Sequence, residues 1–146
     1  KADYILVTHA HQDHILDVEA IAKNTGATVI SNYEIVTYFE NLGIEGHPMN
    51  HGGSWTFNLG KITYTNAVHS SSFPDGTYGG NPGGFVIEGE HKNIYIAGDT
   101  ALTYDMKFRQ LVASRSGNQI TANFSQPGWI HPVCAKDRRC YQQIAR

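Results

Sequence analysis

Six consecutive residues, His9-Ala10-His11-Gln12-Asp13-His14, hold three imidazoles and one carboxylate. Such groups bind zinc and similar divalent ions at roughly 2.0 to 2.1 Å, so a metal site needs several of them converging on one point. Side chains alternate in an extended segment, which lets His9 and His11 project together onto one ion while a turn at Asp13 and His14 presents that pair to a second. Two more groups stand where chemistry is expected. His69 is placed at the end of a strand and opens a glycine-rich loop, so the sheet can hold it while it faces a cleft. Asp99 stands between Gly98 and Thr100, where the backbone can turn sharply and present the carboxylate outward. His47, His51 and His91 read as surface or hydrogen-bonded residues. His131 is the one histidine after Asp99 and a candidate extra ligand.

The elements that must position these groups follow from hydrophobic periodicity. Tyr4, Ile5, Leu6, Val7 and Thr8 form a continuous apolar and β-branched run, as in a strand covered on both faces, and it leads directly into the histidine cluster. Asp17 is placed to cap a helix through Val18, Ile21 and Ala22, closed by Gly26. Residues 27–30 read as a second strand, and Ser31 or Asn32 can start another helix, with Ile35, Val36 and Phe39 inward and Gly43 as the stop. This β-α-β-α rhythm predicts an α/β layout. The pattern then changes: Trp55, Phe57 and Leu59 alternate with polar residues, as do Ile62 and Tyr64 after Gly60, which predicts an antiparallel hairpin. Residues 69–84 read as a long loop, and residues 85–88 and 93–97 as a further hairpin ending at Gly98-Asp99-Thr100.

Bulk composition narrows the classes. A chain of 146 residues, 40% hydrophobic and 16% charged, suffices for one core. The formal charge of -2 and the 11 scattered Lys and Arg residues leave no basic surplus, so a nucleic-acid partner is not indicated. No apolar stretch approaches the roughly 20 residues that span a bilayer, and Lys1-Ala2-Asp3 is not the opening of a secretory signal. The expectation is a cytoplasmic protein acting on a small molecule away from membranes, its oligomeric state left open. Cys134 and Cys140 fit neither a C-x-x-C metal knuckle nor a redox pair.

The six-residue run resembles the H-x-H-x-D-H signature of the metallo-β-lactamase superfamily. More closely, the chain resembles the small cytosolic metal-dependent hydrolases that group near the ascorbate-phosphate lactonases. Four blocks carry that resemblance, in family order: residues 5–14, His47-Pro48-Met49-Asn50-His51-Gly52-Gly53-Ser54, Ala67-Val68-His69-Ser70-Ser71-Ser72, and Ala97-Gly98-Asp99-Thr100. It implies an α/β fold, an incomplete αβ/βα sandwich with mixed sheets. It further implies that His9, His11 and His69 hold one divalent ion, that Asp13 and His14 hold a second, and that Asp99 bridges the two. Zinc is the first expectation for both ions, with manganese, iron and nickel open on the same ligand chemistry.

The implied reaction is hydrolysis of a phosphoester, lactone or related bond by a metal-activated water, which Asp13 would also orient. Ser70, Ser71 and Tyr78 would offer hydroxyls to the substrate. An H-x-H at a strand end also occurs in amidohydrolase barrels, but Asp13-His14 directly after it, the short length and the hairpins count against eight β/α units. The match to the family stops near Met106 and Lys107. Residues 1–107 are therefore read as a partial metal-binding domain, and residues 108–146 as an atypical tail, disordered or foreign to it. With no Met at its start and this tail at its end, the chain reads as a fragment, and the alternative function is a metal-binding fragment without catalysis.

Overall fold

The computed structural model describes residues 1–90, 93–104, 106 and 120–124, the last five as backbone. In chain order the elements are β1 (Tyr4–Leu6), α1 (Gln12–Ile15), α2 (Val18–Thr25), β2 (Thr28–Ser31), α3 (Tyr33–Glu40), β3 (Gly46–Pro48), β4 (Ser54–Phe57), β5 (Gly60–Asn66), β6 (Gly83–Glu88), β7 (Asn93–Gly98) and β8 (Ile120–Phe124). They build two sheets. The first is parallel, in the order β1-β2-β3, with α1, α2 and α3 in its crossovers. The second runs β4-β5-β6-β7-β8, antiparallel as far as β7, with β8 added parallel to β7. This is the expected α/β class with mixed sheets.

Alternation along the strands separates the core into layers, because successive side chains of a strand point to opposite faces. In β2, Val29 packs with Val18, Ala22, Ile35 and Phe39 of the helices, whereas Ile30 packs with Met49, Ile62, Tyr64 and Phe85 between the sheets. In β6, Phe85 and Ile87 join that intersheet cluster, whereas Val86 turns to the opposite face with Tyr95, Ala97 and Met106. Both sheets are therefore apolar on two faces. Truncating a fully buried ring such as Phe85 to alanine should cost about 3–5 kcal/mol.

Local signals explain most of the boundaries. Asn32 caps α3, its side chain accepting from Ile35 N at 2.9 Å. The inward residues of that helix are Ile35, Val36 and Phe39, as their spacing predicts. Gly26 closes α2 in the left-handed region at φ 72, its N–H bonded to Ala22 O. Three details differ from expectation. Asp17 stands at the N-cap of α2 but makes no capping hydrogen bond there. Tyr4, Ile5 and Leu6 are only partly buried, so full cover begins at Val7 and Thr8. Trp55 is exposed, on a strand that among the described residues is the edge of its sheet, hydrogen-bonded to β5 on one side. Ile120–Phe124, inside the segment set apart by composition, forms a strand of the second sheet. His91, His131, Cys134 and Cys140 lie outside the described residues.

Candidate metal centre

The chain leaves β1 extended through Val7 and Thr8, and the next residues converge with two other chain segments. His9 is fully buried and His11 part-exposed. Their rings meet edge to face, with His9 Nε2 3.1 Å from His11 Nδ1. Asp13 and His14 sit in the one-turn helix α1 rather than in a bare turn, and the His14 ring comes back to 4.1 Å from that of His9. His69 arrives from the loop after β5, its ring centroid 5.0 Å from both His9 and His11.

Asp99 comes from the far end of β7. The preceding Gly98 holds φ 66, and a side chain there would meet Thr8, so both backbone freedom and lack of bulk are required. The carboxylate is buried and faces two histidines: Oδ1 lies 3.6 Å from His14 Nε2, and Oδ2 lies 3.7 Å from His69 Nε2.

Two groups of ligand atoms result, each within 4.8 Å: His9, His11 and His69 in one, His9, His14 and Asp99 in the other. Asp13 falls outside both. Its carboxylate is 73% exposed, 3.5 Å from His14 Nε2, and points toward solvent at the rim. The donor set fits divalent cations, since imidazole and carboxylate are their usual ligands and the atoms already converge. Burial, then the nearby His14 and His11, push the His9 imidazole down to about 4, so it is neutral at pH 7, as a ligand must be.

A second layer of contacts holds the backbone of the histidine run. Thr8 O accepts from Gly83 N at 2.9 Å and from Tyr64 Oη at 3.2 Å, both on the second sheet. Tyr64 is buried, which raises its phenol above the ordinary range and keeps it a neutral donor. Ser71 Oγ accepts from Ala10 N at 3.1 Å and donates to Gly79 O at 3.0 Å. Asn32 Nδ2 donates to Gly79 O and Asn81 O, so the cap of α3 also ties down the loop.

Of the loop hydroxyls expected to meet substrate, Ser70 is exposed and lies 3.3 Å from His11 Nε2. Tyr78 is 60% exposed and donates to Asn81. Ser71 is buried with its hydroxyl engaged in both directions, which commits it to fastening the loop rather than to solvent. His47 packs against Trp55 and Phe57, and His51 bonds Pro82 O at 3.0 Å, in keeping with non-ligand roles. The supporting roles of Thr8, Tyr64 and Gly83 at the site were not read from the sequence, and Asn32 was read there only as a helix cap. Thr8 carried a signal in its place immediately before the histidine run, and Asn32 in its place before the helix.

The chain is similar to several known proteins. Residues 1–123 match the model of the β-lactamase superfamily domain. A protein of Flavobacterium johnsoniae named a UPF0173 metal-dependent hydrolase is 77% identical over 107 residues, covering 73% of this chain and 48% of that protein. One of the same name from Thermus thermophilus is 54% identical over 107 residues, covering 73% and 47%. The chain spans about half the length of the curated relatives it matches. Among solved structures, the metallo hydrolase Igni18 of Ignicoccus hospitalis superposes with a TM-score of 0.63 at 37% identity, over 73% of this chain and 46% of that one. PqqB from Methylobacterium extorquens, at 12% identity and a TM-score of 0.58 over 86% and 52% of the two chains, shares the fold alone. With 123 residues matched to one domain model and the histidine cluster folded into one site, the chain belongs to the β-lactamase superfamily domain family and carries the metallo-β-lactamase fold.

Proposed function

We propose that this chain is the metal-binding part of a hydrolase that cleaves a phosphoester, lactone or related bond of a small molecule with the help of two divalent ions, zinc first among them. One observation carries the reading: ligand atoms from three separated segments lie within 4.8 Å in two groups that share His9. His9, His11 and His69 would hold one ion. His14 and Asp99 would hold the other, with Asp99 placed between the two groups by its two oxygens. A pair of divalent ions would supply Lewis acidity, making a water ionisable near neutral pH and offsetting charge on a carbonyl or phosphoryl oxygen.

The chain's own residues supply the rest. Asp13, exposed at the rim 3.5 Å from His14 Nε2, would orient water and take up a proton. Ser70 presents its hydroxyl beside His11 and Tyr78 is an exposed hydroxyl of the same loop, which would suit polar oxygens of a substrate. Residues 1–107 would form the metal-binding part. No helix among the described residues is long and apolar enough to cross a membrane, and a cytoplasmic setting is part of the same proposal.

A second reading, metal binding without turnover, is favoured by Asp13 standing outside both ligand groups. Metal analysis of the folded chain, with assays on a chromogenic phosphodiester and a lactone, separates the two. The hydrolase reading expects bound metal and turnover that disappears in His11→Ala. Metal without turnover supports the second reading, and folded protein that takes up no metal rejects both.

A further inference from the structure

The polar contacts around His9 and His11 form a run of four side chains. Thr8 Oγ1 lies 3.1 Å from His9 Nδ1, His9 Nε2 lies 3.1 Å from His11 Nδ1, and His11 Nε2 lies 3.3 Å from Ser70 Oγ. Each imidazole thus turns one nitrogen to the other ring and its second nitrogen to a hydroxyl. A neutral imidazole has one N–H and one bare nitrogen, and only the bare one can take a cation. We infer that Thr8 and Ser70 are positioning residues: they accept the outer N–H of His9 at Nδ1 and of His11 at Nε2, set opposite tautomers in the two rings, and leave His9 Nε2 and His11 Nδ1 bare toward one divalent cation. The inference rests on the metal reading above and goes beyond it by assigning residues that touch no ion.

The placement of both hydroxyls is built into the fold. Thr8 is buried at the end of the first strand, its carbonyl held by Gly83 N and Tyr64 Oη and its side chain against Gly98. Ser70 is placed by its neighbour, because Ser71 Oγ accepts from Ala10 N and so brings the loop opposite His11. Gly79 completes the close approach, since a β-carbon there would collide with Ala10 and Ser71.

The proton count balances. Without a cation, the 3.1 Å gap between His9 Nε2 and His11 Nδ1 is spanned by one ring N–H, given by either ring. With a cation, that proton moves to the outer nitrogen of the same ring, and the facing hydroxyl changes from donor to acceptor. Hydroxyls do either, so each ring keeps one proton and none is gained or lost. The two positions differ in weight. His9 is fully buried, so its outer N–H has no recourse to water if the Thr8 hydroxyl is removed. Ser70 is exposed, and water can take its place.

The test uses the full chain with zinc(II) as the probe, titrated in competition with a chromophoric chelator, together with ¹⁵N–¹H spectra of histidine-labelled protein. Expected in the zinc-loaded chain are an Nδ1–H tautomer for His9 and an Nε2–H tautomer for His11. Thr8→Val, which keeps the shape and removes the hydroxyl, should weaken zinc binding roughly 10- to 100-fold. Thr8→Ser should stay within a few-fold of the parent, and Ser70→Ala should fall between. Zinc affinity of a folded Thr8→Val within twofold of the parent overturns the proposal, as does one shared tautomer in both rings. If Thr8→Val does not fold, the tautomer spectra and the order of Thr8→Ser and Ser70→Ala decide. A parent chain that binds no zinc overturns the metal reading itself, whereas parent binding with an indifferent Thr8→Val overturns only the role of the hydroxyls.

Discussion

Tyr64 lies across Gly83 so closely that a β-carbon on that glycine would collide with the phenol ring and its hydroxyl. Both then donate to one acceptor, the carbonyl of Thr8, one residue before the first histidine of the site. The second sheet is in this way fastened to the strand of the first sheet that leads into the histidine run.

Gly83→Ala should therefore destabilise the fold by about 1–3 kcal/mol, as overpacked cores do, and weaken metal uptake as well. Tyr64→Phe should cost less, about 0.5–1.5 kcal/mol, because Thr8 O keeps its bond from Gly83. Urea unfolding of the two variants checks the order, and a Gly83→Ala chain as stable as Tyr64→Phe would show that the contact yields freely.

Asn32 serves a helix and a loop at once, capping α3 through Ile35 N and holding Gly79 O and Asn81 O through its amide. Asn32→Ala should cost about 2–4 kcal/mol, the sum of a cap, one buried and one part-buried hydrogen bond. Asn32→Asp retains the cap acceptor but turns a carboxylate toward two carbonyls, so it should not recover the loss. Faster amide exchange of residues 79–81 in both variants, beyond that in α3, is the expected signature.

Thr65 is buried, and its Oγ1 has no hydrogen-bond partner among the described residues. Replacing an unsatisfied buried hydroxyl by a methyl of the same shape removes a desolvation cost. Thr65→Val should raise stability by up to about 1 kcal/mol, read as a higher Tm. A lowered Tm would mean that the hydroxyl has a partner.

Metal should stabilise the folded chain by linkage. At free zinc 100 times Kd, the gain is about 2.7 kcal/mol, and a chelator should remove it. His69→Ala should lose most of that gain, since it removes one of the three candidate ligands in its group. Asp99→Asn keeps the size of the side chain and removes its charge between His14 and His69, so it too should bind more weakly. Ser72→Ala, outside both groups, should melt with the same zinc response as the parent. Melting curves with and without zinc read all of these, and an unchanged response in His69→Ala would exclude it as a ligand.

Much of the fold was legible because its signals are local. The apolar spacing of Ile35, Val36 and Phe39, the Asn32 cap and the left-handed Gly26 each act within a turn of helix. The hairpin of β6 and β7 was readable from two short segments either side of Gly89-Glu90-His91-Lys92, of which His91 and Lys92 lie outside the described residues. Less legible were the edge position of β4, which leaves Trp55 in solvent, and the role of Asp17, which stands at a cap position without capping. Both depend on what the rest of the chain packs beside them.

By itself the sequence determined the ligand chemistry. The residue types and spacing of His9, His11, Asp13 and His14, with His69 and Asp99 at segment ends, are a property of order along the chain. Only the tertiary structure decided which of them share a point. It placed His9 in both groups, set Asp99 between His14 and His69, and left Asp13 at the exposed rim. It also turned Ser71 inward to fasten the loop and left Ser70 against His11. The reason is physical: a ligand type is fixed by a side chain, but convergence within a few ångströms depends on how two sheets, a helix turn and a loop pack, through contacts dozens of residues apart.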